Sequence, residues 1–275
     1  MALDNILVQE EIDYVSKVIT EAGLLAPRLR PGIKIEEKTG PHDRVTTADL
    51  ELSQFIVEKL KEKFKDDVVI SEEDAQHPTA NNSGRVWLID PIDGTDNYIA
   101  NDGQYSVMLG LMVNYKPVLG WVFAPATETM YFGGPNYGSW RRQKQNIATK
   151  FEMLTPMEKG PNARVIMGFR DRKNNPWIED IPGVTLIKAG SIGLKVAKVL
   201  ENEADILIHI SGRLKTWDTA GPVAIALGGH LDVGSMEANE LAFPLTGVVH
   251  QSSLIIGRRG SVEWCHHCLA HSSIN

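Results

Sequence analysis

Cysteine is nearly absent from this chain. Cys265 and Cys268 are the two among 275 residues, so no disulfide framework is implied. An excess of basic residues is missing as well. The formal net charge is −7, from 28 Lys and Arg against 35 Asp and Glu. That balance argues against a protein that grips a nucleic-acid backbone through a basic face. No apolar run approaches the ~18 residues of a membrane span, and the N-terminus carries no basic segment followed by an apolar core. The expectation is a cytoplasmic protein with neither a membrane nor a nucleic acid as partner. No Walker A pattern occurs, which weakens an NTPase reading. There is no internal repeat and no low-complexity segment.

What is present can bury a substantial core, as one large domain or two small ones. Ile6, Ile12, Val15, Val18, Ile19 and Ala22 recur at helical spacing, which predicts a helix from Leu3 to about Leu25, ended by Pro27 and Pro31-Gly32. Residues 33–36 alternate as a short strand, and 37–44 read as a loop. Thr46 is a candidate N-cap, placing Asp49 at the third position of a helix whose Leu52, Phe55, Ile56 and Leu60 face the core. Segments 105–113, 118–124 and 129–132, separated by short turns, predict an antiparallel meander, with 137–141 as a further strand. Past Arg142, strands at 164–167, 184–188, 206–210, 231–233 and 254–256 alternate with helices at 192–200 and 222–227. Such alternation suggests a layered α/β half. The expected organisation is an α+β half over 1–142, an α/β half over 143–260, and a flexible tail over 261–275.

The chemistry centres on Val86-Trp87-Leu88-Ile89-Asp90-Pro91-Ile92-Asp93-Gly94-Thr95. Four apolar residues suggest a buried strand, and two carboxylates three residues apart at its end can converge on a hard cation. Pro91 is expected to stop the strand and to help aim the Ile92 carbonyl. Gly94 lets the backbone approach a ligand, and Thr95 adds a hydroxyl beside its own N–H. If a helix begins there, those N–H groups form a phosphate site beside the metal site. An ordinary strand-to-helix turn with an Asx cap would use the same residues. Further acidic stations shift the balance: Asp49 in Val45-Thr46-Thr47-Ala48-Asp49, Glu72 in Ile70-Ser71-Glu72-Glu73-Asp74, and Asp218 in Trp217-Asp218-Thr219-Ala220-Gly221-Pro222. Asp49 alone would be explained by the helix dipole it complements.

With these stations in this order, and with the D-P-I-D-G-T and W-D blocks, the chain resembles the inositol monophosphatase superfamily of metal-dependent, lithium-sensitive phosphatases. The resemblance covers roughly residues 5–257. It implies an α/β fold, a layered α-β-α-β-α sandwich of the inositol monophosphatase and sugar phosphatase type. It also implies two Mg2+ ions: Glu72, Asp90 and the Ile92 carbonyl hold the first, and Asp90 bridges to the second, which Asp93 and Asp218 complete. A third, weaker ion near Glu72 is described for relatives. Glu72 is preferred to Glu73 because the family's ligand is the first acid of its pair; Glu73 could assist through water. Oxygen ligands with no His or Cys at these points suit magnesium. A metal pair about 3.5–4 Å apart can activate water and stabilise a leaving oxygen. The catalytic residues implied are Asp49, Glu72 and Thr95. An activated water passes its proton towards Thr95, whose hydroxyl Asp49 polarises, while the Gly94 and Thr95 N–H groups, with Asp93 beside them, hold the phosphate.

Gly190-Ser191-Ile192-Gly193-Leu194-Lys195 and Leu214-Lys215-Thr216-Trp217-Asp218 look most like the 3'(2'),5'-bisphosphate nucleotidase branch. That branch converts adenosine 3',5'-bisphosphate to AMP and phosphate. Ser191, Lys195 and Lys215 become substrate-binding candidates, the lysines for the second phosphate of a small phosphorylated substrate. A solvated helix face explains Lys195 equally well. Gly168-Phe169-Arg170-Asp171-Arg172 departs from the Ser/His-containing stretch of nucleotidases, although Arg170 or Arg172 could reach a phosphate. The alternative is an inositol-1-monophosphatase or a sugar (fructose-1,6-bisphosphate) phosphatase of the same fold. A non-catalytic regulatory protein is a third reading, against which the intact stations argue. Relatives are commonly dimers, which makes a homodimer the assembly the resemblance implies. Cys265-His266-His267-Cys268, with His271, supplies too little of a closed zinc site, and the chain end is expected to be unpacked.

Overall fold

The computed structural model describes residues 6–38, 44–74, 84–158, 160–237, 241–244, 249–250 and 252–269. Helix α1 (Gln9–Leu29) is followed by strands β1 (Ile35–Glu37) and β2 (Arg44–Thr46), an antiparallel pair, and by α2 (Thr47–Lys63). Pro27 does not end α1. It lies in the last turn, where it removes one backbone hydrogen bond near the helix end, and the helix runs on to Leu29.

A seven-stranded sheet comes next, in the order of the chain: β3 (Val68–Ser71), β4 (Arg85–Asp93), β5 (Ser106–Val113), β6 (Lys116–Ala124), β7 (Thr129–Gly134), β8 (Gly138–Gln143) and β9 (Thr149–Lys150), with short α3 (Thr95–Ala100) between β4 and β5. β3 and β4 pair in parallel, and β4 to β9 pair antiparallel in succession, with the predicted meander found as β5 to β8. The central strand runs further than expected, through Pro91 to Asp93. Its register against β5 shifts between Asp90 and Asp93, so the proline that cannot donate falls at an irregularity of the ladder.

The second sheet contains β10 (Ala163–Met167), β11 (Val184–Lys188), β12 (Ile206–His209), β13 (Asp232–Gly234) and β14 (Leu254–Gly257), ordered β11-β10-β12-β14-β13. Between them run α4 (Phe169–Asn174), a 3-10 turn at Pro176–Asp180, α5 (Ile192–Leu200) and α6 (Thr216–Gly228). β10, β11 and β12 are parallel to one another.

Alternation along the strands sorts the core into layers. Trp87 and Ile89 of β4 join α1 and α2 in one apolar cluster, while Val86 and Leu88 join α5, α6 and the second sheet in another. Helix α6 lies against β5 and β6 almost backbone to backbone. A Cβ at Gly120 would stand 2.1 Å from the Gly221 carbonyl oxygen, and one at Gly110 would stand 2.6 Å from Gly221 N. This contact brings the first turn of α6, with Asp218, to the sheet that carries β4.

The expected tail is instead helix α7 (Ser261–Cys268), packed on the outer face of the second sheet. Trp264, Cys265 and Leu269 are buried there with Val165, Ile206 and Ile255, and the Trp264 indole N–H donates to the Gly160 carbonyl at 2.9 Å. The Cys and His residues beside them disguise an amphipathic helix. Residues 270–275, with His271, lie outside the described residues. The layers are thus α1 and α2, the first sheet, α5 and α6, the second sheet, and α7: the α-β-α-β-α sandwich. No described helix is long and apolar enough to cross a membrane.

Candidate active site

Strand ends and helix starts deliver the acidic stations to one place. Glu72 follows β3 and is pinned to β4 by its N–H, which donates to the Ile89 carbonyl at 3.0 Å. Asp90 lies on β4, and Asp218 is the third residue of α6. One carboxylate oxygen from each of Glu72, Asp90 and Asp218 lies within 4.8 Å of the others. Burial first, then the charges of Glu72, Asp93 and Asp218, holds the Asp90 carboxyl well above the usual range. Burial and Glu72 do the same to Asp218. Asp90 Oδ1 is buried without a hydrogen-bond partner among the described residues. An oxygen withdrawn from water at that cost fits a cation ligand, and all-oxygen donors fit magnesium.

Asp93 is placed differently from the other acids. Its Oδ2 accepts a short hydrogen bond from the Ser191 hydroxyl and one from Gly193 N at 3.0 Å, tying β4 to the start of α5. Ser191 is fully buried, and its oxygen also meets Ser106 Oγ at 2.8 Å and Leu194 N at 3.1 Å. Expected to touch substrate, Ser191 instead supports Asp93. Gly94 has a φ of 94°, in the left-handed region that suits glycine, and Thr95 opens α3.

Asp49 and Thr95 are not hydrogen-bonded to each other among the described residues, contrary to expectation. The Asp49 carboxylate accepts from Thr46 N at 2.8 Å and Thr46 Oγ1 at 2.5 Å, which is the capping role that its helix position requires. The Thr95 hydroxyl donates to the Ile92 carbonyl at 3.2 Å. Burial pushes the Asp49 carboxyl up to about 7, against the downward pull of Thr46 and with the help of Glu73 and Glu72.

The cluster opens into a cleft of about 660 Å3 that Glu72, Asp90, Asp93, Gly94, Thr95 and Asp218 line on one side. Lys195, Arg170, Arg172, Lys188, Arg213 and His209 also line it. Lys195 is no solvated helix face. It is 4% exposed, and burial lowers its pKa despite the attraction of Asp93 and Asp171. Lys215 lies elsewhere than expected for a second-phosphate ligand: its ammonium donates to Glu72 Oε1 at 3.1 Å, beside the Trp217 ring. Lys38 binds Glu73 at 2.7 Å.

One polar group was not anticipated. Asp171 Oδ2 lies 2.9 Å from His209 Nδ1, and His209 Nε2 lies 2.9 Å from Ser211 Oγ. Asp171 Oδ1 accepts from Ser211 N at 2.9 Å and from Ile210 N at 3.3 Å. Burial alone would raise the Asp171 carboxyl, but His209 and these two N–H groups hold it below its ordinary value. The departure at Gly168–Arg172 was its only sequence signal.

Comparison with known proteins agrees with this geometry. The profile of the inositol monophosphatase family matches residues 8–253. A 3'(2'),5'-bisphosphate nucleotidase CysQ of Haemophilus influenzae is 31% identical over 194 residues, 69% of this chain and 70% of that protein. An inositol-1-monophosphatase of Bacillus subtilis is 26% identical over 215 residues, 76% of this chain and 80% of that protein. The solved Thermotoga maritima IMPase superposes with a TM-score of 0.77 at 22% identity, over 96% of this chain and 100% of that one. An IMPase/NADP phosphatase solved with Mg2+ and phosphate gives 0.78 at 20% identity over 95% of each chain. At these identities the solved structures show a shared fold.

Proposed function

The chain belongs to the inositol monophosphatase family, and from that premise we propose that it is a magnesium-dependent 3'(2'),5'-bisphosphate nucleotidase, converting adenosine 3',5'-bisphosphate to AMP and phosphate. That it is a phosphomonoester hydrolase follows from the family and its named relatives. What favours the bisphosphate is a single juxtaposition: one cleft joins the Glu72, Asp90 and Asp218 cluster to a wall bearing buried Lys195 and half-buried Arg172.

Glu72, Asp90 and Asp218 would hold magnesium, with Asp93 and the Ile92 carbonyl beside them. Bound there, the metal would supply charge stabilisation for the phosphoryl oxygens and a lowered pKa for water. The chain's own residues do the rest. The Gly94 and Thr95 N–H groups hold the scissile phosphate. The Thr95 hydroxyl leaves the Ile92 carbonyl, takes the proton of the attacking water and passes its own proton to the Asp49 carboxylate on the capped start of α2. Lys195 meets the second phosphate. Catalysis of this kind needs position and preorganised charge and no covalent intermediate.

The test is phosphate release from a panel of monoesters with magnesium and after chelation. Adenosine 3',5'-bisphosphate should be the preferred substrate, and millimolar lithium should inhibit. Faster turnover of inositol 1-phosphate would move the chain to the other branch, which the Bacillus subtilis relative represents.

A further inference from the structure

Asp218 enters the cleft from the first turn of α6, and that turn is incompletely tied to the helix behind it. Pro222 has no N–H for the Asp218 carbonyl four residues earlier, so one of the bonds that would join the turn to the body of α6 is missing. The body is fixed, with Gly221 against Gly110 and Gly120. The turn is under load, because Asp218 brings a carboxylate oxygen within 4.8 Å of oxygens of Glu72 and Asp90, and like charges repel.

A separate stretch of chain holds the turn. The main-chain N–H of His250 donates to the Leu214 carbonyl at 2.8 Å, and Lys215 forms an antiparallel bridge with Val249. The Thr216 hydroxyl donates to the Pro244 carbonyl at 2.9 Å. The His250 side chain reaches furthest along α6: its Nε2 lies 2.6 Å from Oγ1 of Thr219, the residue after Asp218. The other ring nitrogen bonds the Ala242 backbone and so carries the proton, which leaves Nε2 to accept from the hydroxyl. The imidazole is buried, with the Phe243 ring edge-on at 5.4 Å between centroids, and Phe243 shares an apolar cluster with Leu214 and Trp217. Residues on both sides of Asp218 are thereby bonded to 242–250. Asp218 itself accepts from Lys215 N through Oδ2 at 2.6 Å, so the aim of its carboxylate follows the conformation of this turn. Neither Thr219 nor His250 is among the described residues that line the cleft, which removes both from contact with substrate.

We propose that His250 is a positioning residue for the magnesium site: through the Thr219 hydroxyl it braces the first turn of α6 and fixes the aim of Asp218 at the cation. A ligand oriented before the cation arrives binds it more tightly, because less order is imposed on binding. The inference rests on the reading of Asp218 as a magnesium ligand and adds the support behind it.

The experiment titrates magnesium by calorimetry into the chelated full-length protein, without substrate. The proteins are the wild type, Asp218→Asn, Thr219→Val, Thr219→Ser, His250→Leu, the double variant Thr219→Val with His250→Leu, and Trp264→Ala. Thr219→Val keeps the shape and loses the hydroxyl; it should weaken the site that Asp218→Asn removes about tenfold, as loss of an outer partner of a metal ligand does. His250→Leu should do the same. The double variant should lose no more than either single one, because both remove the same bond. Thr219→Ser, which keeps the hydroxyl, should bind as the wild type does. Trp264→Ala loses stability in the core under α7 and should still bind magnesium at the wild-type affinity. Wild-type affinity in Thr219→Val and His250→Leu, losses that add in the double variant, or equal weakening in Trp264→Ala would overturn the brace while leaving the metal site standing. A wild type that takes up no magnesium, or an Asp218→Asn that binds as tightly as the wild type, would overturn the metal reading itself and the brace with it.

Discussion

The Lys215 ammonium donates to Glu72 Oε1 at 3.1 Å, joining the start of α6 to the acid after β3 across 143 positions of chain. Lys38 stands 3.6 Å from the same carboxylate. Two ammonium groups therefore offset part of the negative charge gathered at Glu72, Asp90 and Asp218. A buried carboxylate cluster without such balance would oppose its own folding.

Lys215→Met should accordingly lower the stability of the chelated protein, by about 1–3 kcal/mol as for loss of a bond to a charged group. Magnesium should raise the melting temperature of both proteins as its concentration rises, and of the variant by more, since Glu72 no longer has a competing cation. Calorimetry across a magnesium titration checks this. A melting temperature indifferent to magnesium in both would remove the metal from this cluster.

Asp90→Asn and Asp93→Ala should separate function from support. Burial and its acidic neighbours disfavour the charged form of Asp90. The amide should therefore leave the chelated fold as stable or more so while abolishing turnover. Asp93→Ala strands the Ser191 hydroxyl and Gly193 N, at about 1–3 kcal/mol. Urea unfolding of both variants, beside activity, is the measurement; a larger stability loss for Asp90→Asn would reverse the assignment.

Trp264→Ala should cost about 3–5 kcal/mol, the range for a large aromatic removed from a packed core. Its side chain and those of Cys265 and Leu269 cover the outer face of the second sheet. Truncation at residue 260 should expose that face and favour aggregation. A truncated protein that melts like the full chain would show that α7 contributes nothing.

His250 gives the fold a pH dependence of its own. Burial lowers its pKa from 6.5 to about 4, and its Nε2 lies 2.6 Å from Thr219 Oγ1. The folded imidazole stays neutral where the unfolded one takes a proton. Stability is therefore full above pH 6.5 and declines as pH falls towards 4, by roughly 3 kcal/mol in all. The difference in unfolding free energy between wild type and His250→Gln, measured from pH 7 to pH 4, should narrow by that amount. A constant difference would show that His250 does not titrate in this window.

Much of the frame was legible locally. The apolar run Val86–Ile89 and the strand-and-turn segments beyond Tyr105 announced the first sheet, because short apolar runs between turn residues mark buried strands. Thr46 and Asp49 announced the start of α2, because a cap is made within three residues. α7 was misread because a chain end is expected to fray, whereas Trp264, Cys265 and Leu269 pack on the second sheet, which only the fold reveals. Pro91 was misread because a strand can pass a proline at a register shift, which only the partner strand reveals.

Asp90 and Asp93 stood out as a candidate cation site by residue type and short spacing, since a hard cation needs oxygen ligands. Glu72, Asp218 and Asp49 joined them only through their order along the chain and the resemblance it carries. Their partners were decided by the tertiary structure. Ser191 meets Asp93 across 98 positions, and Lys215 meets Glu72 across 143. No local pattern encodes such meetings. They depend on α6 pressing its Gly221 backbone against Gly110 and Gly120, which sets the position of the second sheet over the first. Local hydrogen bonding and side-chain periodicity are properties of near neighbours and can be read along the chain. Which carboxylate faces which cation follows from how two sheets stack, and only close packing decides that.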